Sequence, residues 1–169
     1  LFAHGHDYLM GFQRQFDLRS ENNIPTWYSS MALGLASFLL FATAKLKQKL
    51  GDRYAQHWLG LGAVFLFLSL DEAASLHELA SEPIHRVFHT TGYFYYGWII
   101  PAGLLAAAVG LCYLGFLIAL PASTRLLFII SGAVFVGGAV GLEMLEGVEI
   151  ARSGYDSLRY AVMVAVEET

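Results

Sequence analysis

Residues 92–124, GYFYYGWIIPAGLLAAAVGLCYLGFLIALPAST, contain no Asp, Glu, Lys or Arg. An apolar helix of about 20 residues is long enough to cross a bilayer, so this stretch predicts a spanning helix over 97–120. The aromatic run Tyr93, Phe94, Tyr95, Tyr96 and Trp98 marks one membrane interface. Pro101 falls in the first turn, where proline is tolerated, and Pro121 with Arg125 marks a tight turn at the far end.

The same pattern recurs on both sides. Residues 27–44 are uncharged and follow Glu21-Asn-Asn-Ile-Pro-Thr26. There Asn22 or Asn23 is a candidate cap and Pro25 sits in the first turn, which predicts a helix over 27–46. A second helix is expected over 57–81, with Pro83 ending or kinking it. Two more are expected over 125–151 and 157–169. Gly137 and Gly141, four apart, would permit close approach of a neighbouring helix. The fold class expected is all-α, a polytopic transmembrane bundle of about five helices forming one domain over 1–169.

Composition agrees. Of 169 residues, 56% are hydrophobic and only 14% charged, against about a quarter charged in soluble domains. The mean hydropathy is +0.53. The single cysteine, Cys112, lies in an apolar run and is expected to be a packed, inert thiol. The chain begins without Met, opens on no signal peptide and stops within a helical pattern, so further membrane helices are expected at one or both ends. There is no phosphate-binding or dinucleotide glycine loop, no nucleophile elbow and no basic patch, which argues against a nucleic-acid partner.

Orientation follows from Lys45, Lys47, Lys49 and Arg53, the densest positive cluster, in a short loop. The positive-inside rule puts that loop in the cytoplasm and His85 and His89 on the other side of the membrane.

The chemistry is expected to centre on Ser69–His89, SLDEAASLHELASEPIHRVFH, where an apolar run gives way to Asp71, Glu72, His77, Glu78, Glu82, His85 and His89. Ionisable groups following a membrane-length apolar segment are a functional-site hypothesis by default. At 1.5 Å per residue, a helix starting at Trp58 puts Asp71 about 20 Å along, beyond the midplane. Seven of the fourteen acids, Asp71, Glu72, Glu78, Glu143, Glu146, Glu167 and Glu168, fall in or at the ends of three separate helices at similar depth. Asp71, Ser75, Glu78, Glu82 and His85 follow a 4-3-4-3 spacing and would form one stripe if the helix survives Pro83. Glu143 and Glu146 share a face, whereas Glu72 and His77 point elsewhere.

Carboxylates gathered in low dielectric need shared protons or a cation. Carboxylate oxygen with imidazole nitrogen suits zinc, iron or manganese. The expected catalytic groups are Asp71, Glu72 and Glu143. The expected ligands of a divalent metal, zinc or iron, are Glu78, Glu146, His77, His85, His89, Glu167 and Glu168. The one Glu-x-x-His, Glu82-Pro-Ile-His85, contains a proline, which departs from the di-iron carboxylate pattern. The plainer alternative is pairing of the acids with Arg86, Arg152 and Arg159, with Glu82, Glu149 and Asp156 solvated and His4, His6 and His57 interfacial.

Glu21 to Ser30, ENNIPTWYSS, resembles a segment of uncharacterised bacterial multi-pass membrane proteins. In these a Leu-Asp-Glu-x-x-Ser-x-His-Glu helix follows, matching Leu70 to Glu78, and a Glu-Glu pair comes near the end, matching Glu167 and Glu168. The resemblance implies a multi-pass helical protein and carries no established activity. A looser similarity is to membrane-embedded hydrolases of the ceramidase and progestin-receptor type, which hold zinc with His and Asp from several helices. Of their late histidine pair, only His85 and His89 are counterparts, earlier in the chain. Three functions follow as expectations: metal-dependent hydrolytic or redox chemistry on a lipid-like substrate; a proton or cation pathway with Asp71, Glu143 and Glu167 as relays; or an accessory subunit packed against other membrane subunits. The lipid bilayer is a partner in all three.

Overall fold

A computed structural model describes residues 15–16, 23–155 and 157–167, with only the backbone of Glu167. The described residues are helical, with no strand among them. They form α1 (Ile24–Lys49), α2 (Ala55–Ala74), α3 (Leu76–Phe88), a single 3-10 turn (Gly92–Phe94), α4 (Ile99–Ala119), α5 (Ala122–Ser153) and α6 (Leu158–Glu167). Among the described residues the count is six rather than about five, because the second expected helix is two. Among the described residues α1, α4 and α5 are long and apolar enough to cross a membrane, and α2 with α3 qualifies only jointly, as a broken span or a re-entrant loop. The chain divides into two compact units, one up to Leu76 and one over His77–Glu167.

In the first unit α1 and α2 pair as a hairpin. Asn23 caps α1: its Oδ1 accepts from Thr26 N at 2.9 Å and from Thr26 Oγ1 at 3.0 Å, with Pro25 in the first turn as the sequence predicts. Lipid offers no hydrophobic drive between spanning helices, so they associate through small residues and hydroxyls. Here Ser37 Oγ donates to the Gly62 carbonyl at 2.7 Å, and Ser30 and Ser69 each donate to the other's carbonyl at 2.8 Å. The loop is closed by Asp52, which accepts from Tyr54 N at 2.8 Å and pairs with Lys47 at 2.9 Å. That N–H bond, and then Lys47, hold the Asp52 carboxyl below the usual carboxylate range.

The break that shortens α2 is at Ser75, not at Pro83. Ser75 takes the left-handed conformation (φ 50°, ψ 42°) that stops a helix, and Pro83 lies inside α3. The stripe expected from Asp71 through Ser75 to His85 is therefore interrupted at its second member. His89, also at positive φ (48°), follows the end of α3.

The second unit is organised by α5. Phe116 of α4, 1% exposed, meets Phe128 of α5 edge-on. The helix is not uniform: it is α over Ala122–Val136, π over Gly137–Leu142 and α again over Glu143–Ser153. The close approach expected at Gly137 and Gly141 does not occur, since a Cβ at either would meet no atom within 4 Å. The close approach is at Gly147, where a Cβ would run into the Gly92 carbonyl oxygen and lie 2.7 Å from Tyr95 Cβ. Cys112 is exposed on α4 rather than packed. Large apolar side chains such as Leu104, Leu111, Ile118, Leu127 and Val134 are likewise exposed, as a lipid-facing surface requires.

Candidate functional site

At 1.5 Å per residue, the 32 residues of α5 span about 48 Å. A hydrocarbon layer of about 30 Å beginning at Ala122 ends near Leu142. By length alone, the acids of α5 come after one hydrocarbon thickness, beside the aromatic residues that precede α4.

Gly147 lets the Glu143–Ser153 segment press against the 3-10 turn, and this sets the site. Trp98 Nε1–H donates to Glu143 Oε2 at 2.7 Å. His77 of α3 packs its ring on Trp98, with centroids 5.0 Å apart and planes tilted by 55°. Glu146 is buried at 2% exposure, one turn further on. The Tyr96 phenol is hydrogen-bonded to Tyr160 of α6 and feels both Glu146 and Glu143. Burial, then the Tyr160 bond, push the Tyr96 phenol well above its usual range, so it stays protonated.

Tyr95, Tyr96, Tyr155 and Tyr160 contact one another beside this group. Tyr95 and Tyr155 share a hydroxyl–hydroxyl hydrogen bond of 2.6 Å, which comes first among the causes that push Tyr155 up to about 12. Tyr155 meets Tyr160 edge-on at 5.6 Å, and Tyr95 meets Tyr96 edge-on at 5.3 Å. Glu149 is buried rather than solvated: its Oε1 accepts from Ser157 Oγ at 2.9 Å, while that Oγ accepts from Tyr160 N at 3.0 Å. Ser157 thereby caps α6 and ties it to α5.

The other expected site residues are placed as follows. Glu143, Glu146 and His77 belong to the cluster. His85 is exposed with Nδ1 3.0 Å from Thr90 Oγ1, and His89 and Glu78 are exposed. Glu82, exposed as expected, pairs with Arg86 at 2.8 Å. Among the described residues Arg152 and Arg159 form no ion pair with an acid. Asp71 and Glu72 are half-buried on α2, in the other unit. The Glu167 side chain and all of Glu168, Asp156, His4 and His6 lie outside the described residues. Among the described residues no three His, Cys, Asp or Glu are grouped to hold a metal ion. Glu143 bonds an indole through one oxygen, His85 bonds a hydroxyl through one nitrogen, and the His77 ring packs on an aromatic face.

The partners that sequence reasoning missed are Tyr96, Trp98, Tyr155, Tyr160 and Ser157. In the sequence Tyr96 and Trp98 are marked only as part of the aromatic belt and Ser157 only as a helix start, while Tyr155 and Tyr160 carry no signal of their own.

Apolar helices of spanning length, a lipid-type exterior and polar groups gathered at one boundary define a helical membrane protein. The chain belongs to the family described as a domain of unknown function (DUF8692), which it matches over residues 2–169. That membership agrees with the resemblance to an uncharacterised family and extends neither to a bacterial source nor to ceramidase-type hydrolases. Neither a curated protein nor a solved structure shows a significant match to it.

Proposed function

We propose that the protein is an integral membrane protein that exchanges protons at the boundary cluster, with Glu143 and Glu146 as the exchanging carboxylates and Tyr96 and Tyr160 as the hydroxyl chain leading from them. The observation that carries this reading is the gathering of two carboxylates on one face of α5, Glu143 bonded by Trp98 Nε1–H and Glu146 buried, with the Tyr96–Tyr160 pair close enough to feel both. Two neighbouring acids in a poorly hydrated site favour sharing a proton over ionising together. Ionisable groups inside helical membrane proteins mark proton and ion paths. Asp71, on the preceding apolar helix, is a candidate further relay, and so is Glu167.

Orientation is part of the proposal. The Lys45–Arg53 loop faces the cytoplasm, of a bacterial cell on the resemblance above, and the cluster faces the opposite side. Maleimide labelling of Gln48→Cys in a Cys112→Ser background, from outside intact cells, would overturn that orientation.

The function is tested with purified protein in vesicles enclosing a pH-sensitive dye. A pH step should collapse faster with the wild type than with Glu143→Gln or Glu146→Gln. Equal rates for all three, or for protein-free vesicles, refute the reading. Metal analysis of the same preparation separates the alternatives. Stoichiometric zinc or iron, lost in the Glu146→Gln protein, would favour metal-dependent chemistry. A stable co-purifying membrane subunit without proton flux would favour an accessory role.

A further inference from the structure

We infer that the π segment Gly137–Leu142 is a movable bulge that carries Glu143 on and off the Trp98 indole and so gates the proton exchange proposed above, on which this inference rests. A π segment is an α-helix holding one residue too many for its length, and such segments occur often at functional sites. Between two fixed ends the surplus residue cannot vanish, but it can slide. Each residue it passes turns by about 100°, the angle per residue of an α-helix with 3.6 residues per turn. Residues beyond the path of the slide keep their places.

Both ends of α5 are held. On the N-terminal side Phe128 packs edge-on against the buried Phe116. On the C-terminal side Gly147 lies against the Gly92 carbonyl and Tyr95, and Glu149 is tied to Ser157. The bulge lies beside α4 and α6, but its glycines face open space. None of residues 137–142 is buried, and a Cβ placed at Gly137, Gly138 or Gly141 meets nothing within 4 Å. Glu143 is the first residue after the bulge, and its bond to Trp98 is a contact that opposes a slide in that direction. A slide of about one turn swings Leu142 and Glu143 to a different face of the helix and leaves the Gly147 contact in place. The carboxylate then has two positions, one on the indole beside Tyr96 and one away from it. An exchanging group that must face two surroundings in turn needs both.

The test removes the surplus residue. Deleting Gly138 should turn α5 into an unbroken α-helix with both ends where they were and Glu143 fixed on Trp98. In Trp27→Phe/Trp58→Phe protein in vesicles, the emission of Trp98 alone reports the bond. The wild-type helix should give two emission lifetimes, and the Gly138 deletion one lifetime with the proton flux lost. A single lifetime in the wild-type helix overturns the inference. So does a deletion protein that keeps its flux with Trp98 still bonded. Two lifetimes that collapse to one on deletion, in a protein that never carried flux, sink the proton reading and leave the bulge standing. If the deletion protein does not fold, the pair Gly137→Ala/Gly141→Ala, both in open space, must change the ratio of the two lifetimes; an unchanged ratio overturns the inference.

Discussion

Replacing Gly147 with Ala should be the most damaging single-methyl change in α5, although nothing in the local sequence marks it. The added Cβ would run into the Gly92 carbonyl oxygen and sit 2.7 Å from Tyr95 Cβ, and both obstacles belong to or lie next to the backbone of the 3-10 turn. A flexible side chain could swing aside, but here the Glu143–Ser153 segment must lift away from the turn. Overpacking of this kind costs about 1–3 kcal/mol. At roughly 2–4 °C per kcal/mol for a chain of this size, the melting midpoint should fall by about 2–12 °C. Lifting the segment also pulls Glu143 from Trp98, so the Trp98 emission should change in the folded protein. Gly137→Ala and Gly141→Ala, which meet open space, should be neutral or stabilising by about 0.5–1 kcal/mol, because alanine suits a helix better than glycine. The assay is thermal unfolding in mild detergent followed by Trp98 emission and circular dichroism. If Gly147→Ala melts with the wild type while Gly141→Ala is the damaging change, the packing described here is wrong and the Gly137–Gly141 spacing is the true contact.

Trp98→Phe removes the indole donor to the Glu143 carboxylate, so a loss of about 1–3 kcal/mol is expected, against little for Trp27→Phe, whose ring is exposed. Ser37→Ala removes the 2.7 Å bond to Gly62 and should weaken the α1–α2 hairpin by about 0.6 kcal/mol, up to about 1.7 kcal/mol, read as a lowered midpoint in detergent. The Tyr155 hydroxyl, raised from 10.0 to about 12, binds its proton more tightly in the folded protein, so its contribution is complete below pH 10 and fades as pH rises towards 12. Tyr155→Phe should flatten the alkaline limb of a stability–pH profile over that window. Asp52 is the reverse case: its carboxyl is held low, so its contribution to the α1–α2 loop is present above pH 3.8 and lost as pH falls below it, and Asp52→Asn should remove that acid dependence.

The sequence alone settled the class of fold, because apolar run length, aromatic flanks and the scarcity of charge are one-dimensional properties. The start of α1 was legible for the same reason, since Asn23 and Pro25 act within a single turn. Glu143, Glu146 and His77 could be picked out because ionisable groups at membrane depth are costly wherever they point. What the residues could not state was which neighbours meet them. The helix break lies at Ser75, a residue with no intrinsic breaking signal, and not at Pro83. The glycine that permits close packing is Gly147, because that property belongs to the facing Gly92 and Tyr95 rather than to the glycine. Tyr96 and Trp98 read as interface anchors, and Tyr160 as nothing in particular, until the turn before α4 and the start of α6 are brought against α5. Helical spacing says which side chains share a face, but the Trp98–Glu143 and Tyr95–Tyr155 bonds join residues 45 and 60 positions apart in the chain, and only the tertiary structure decides those.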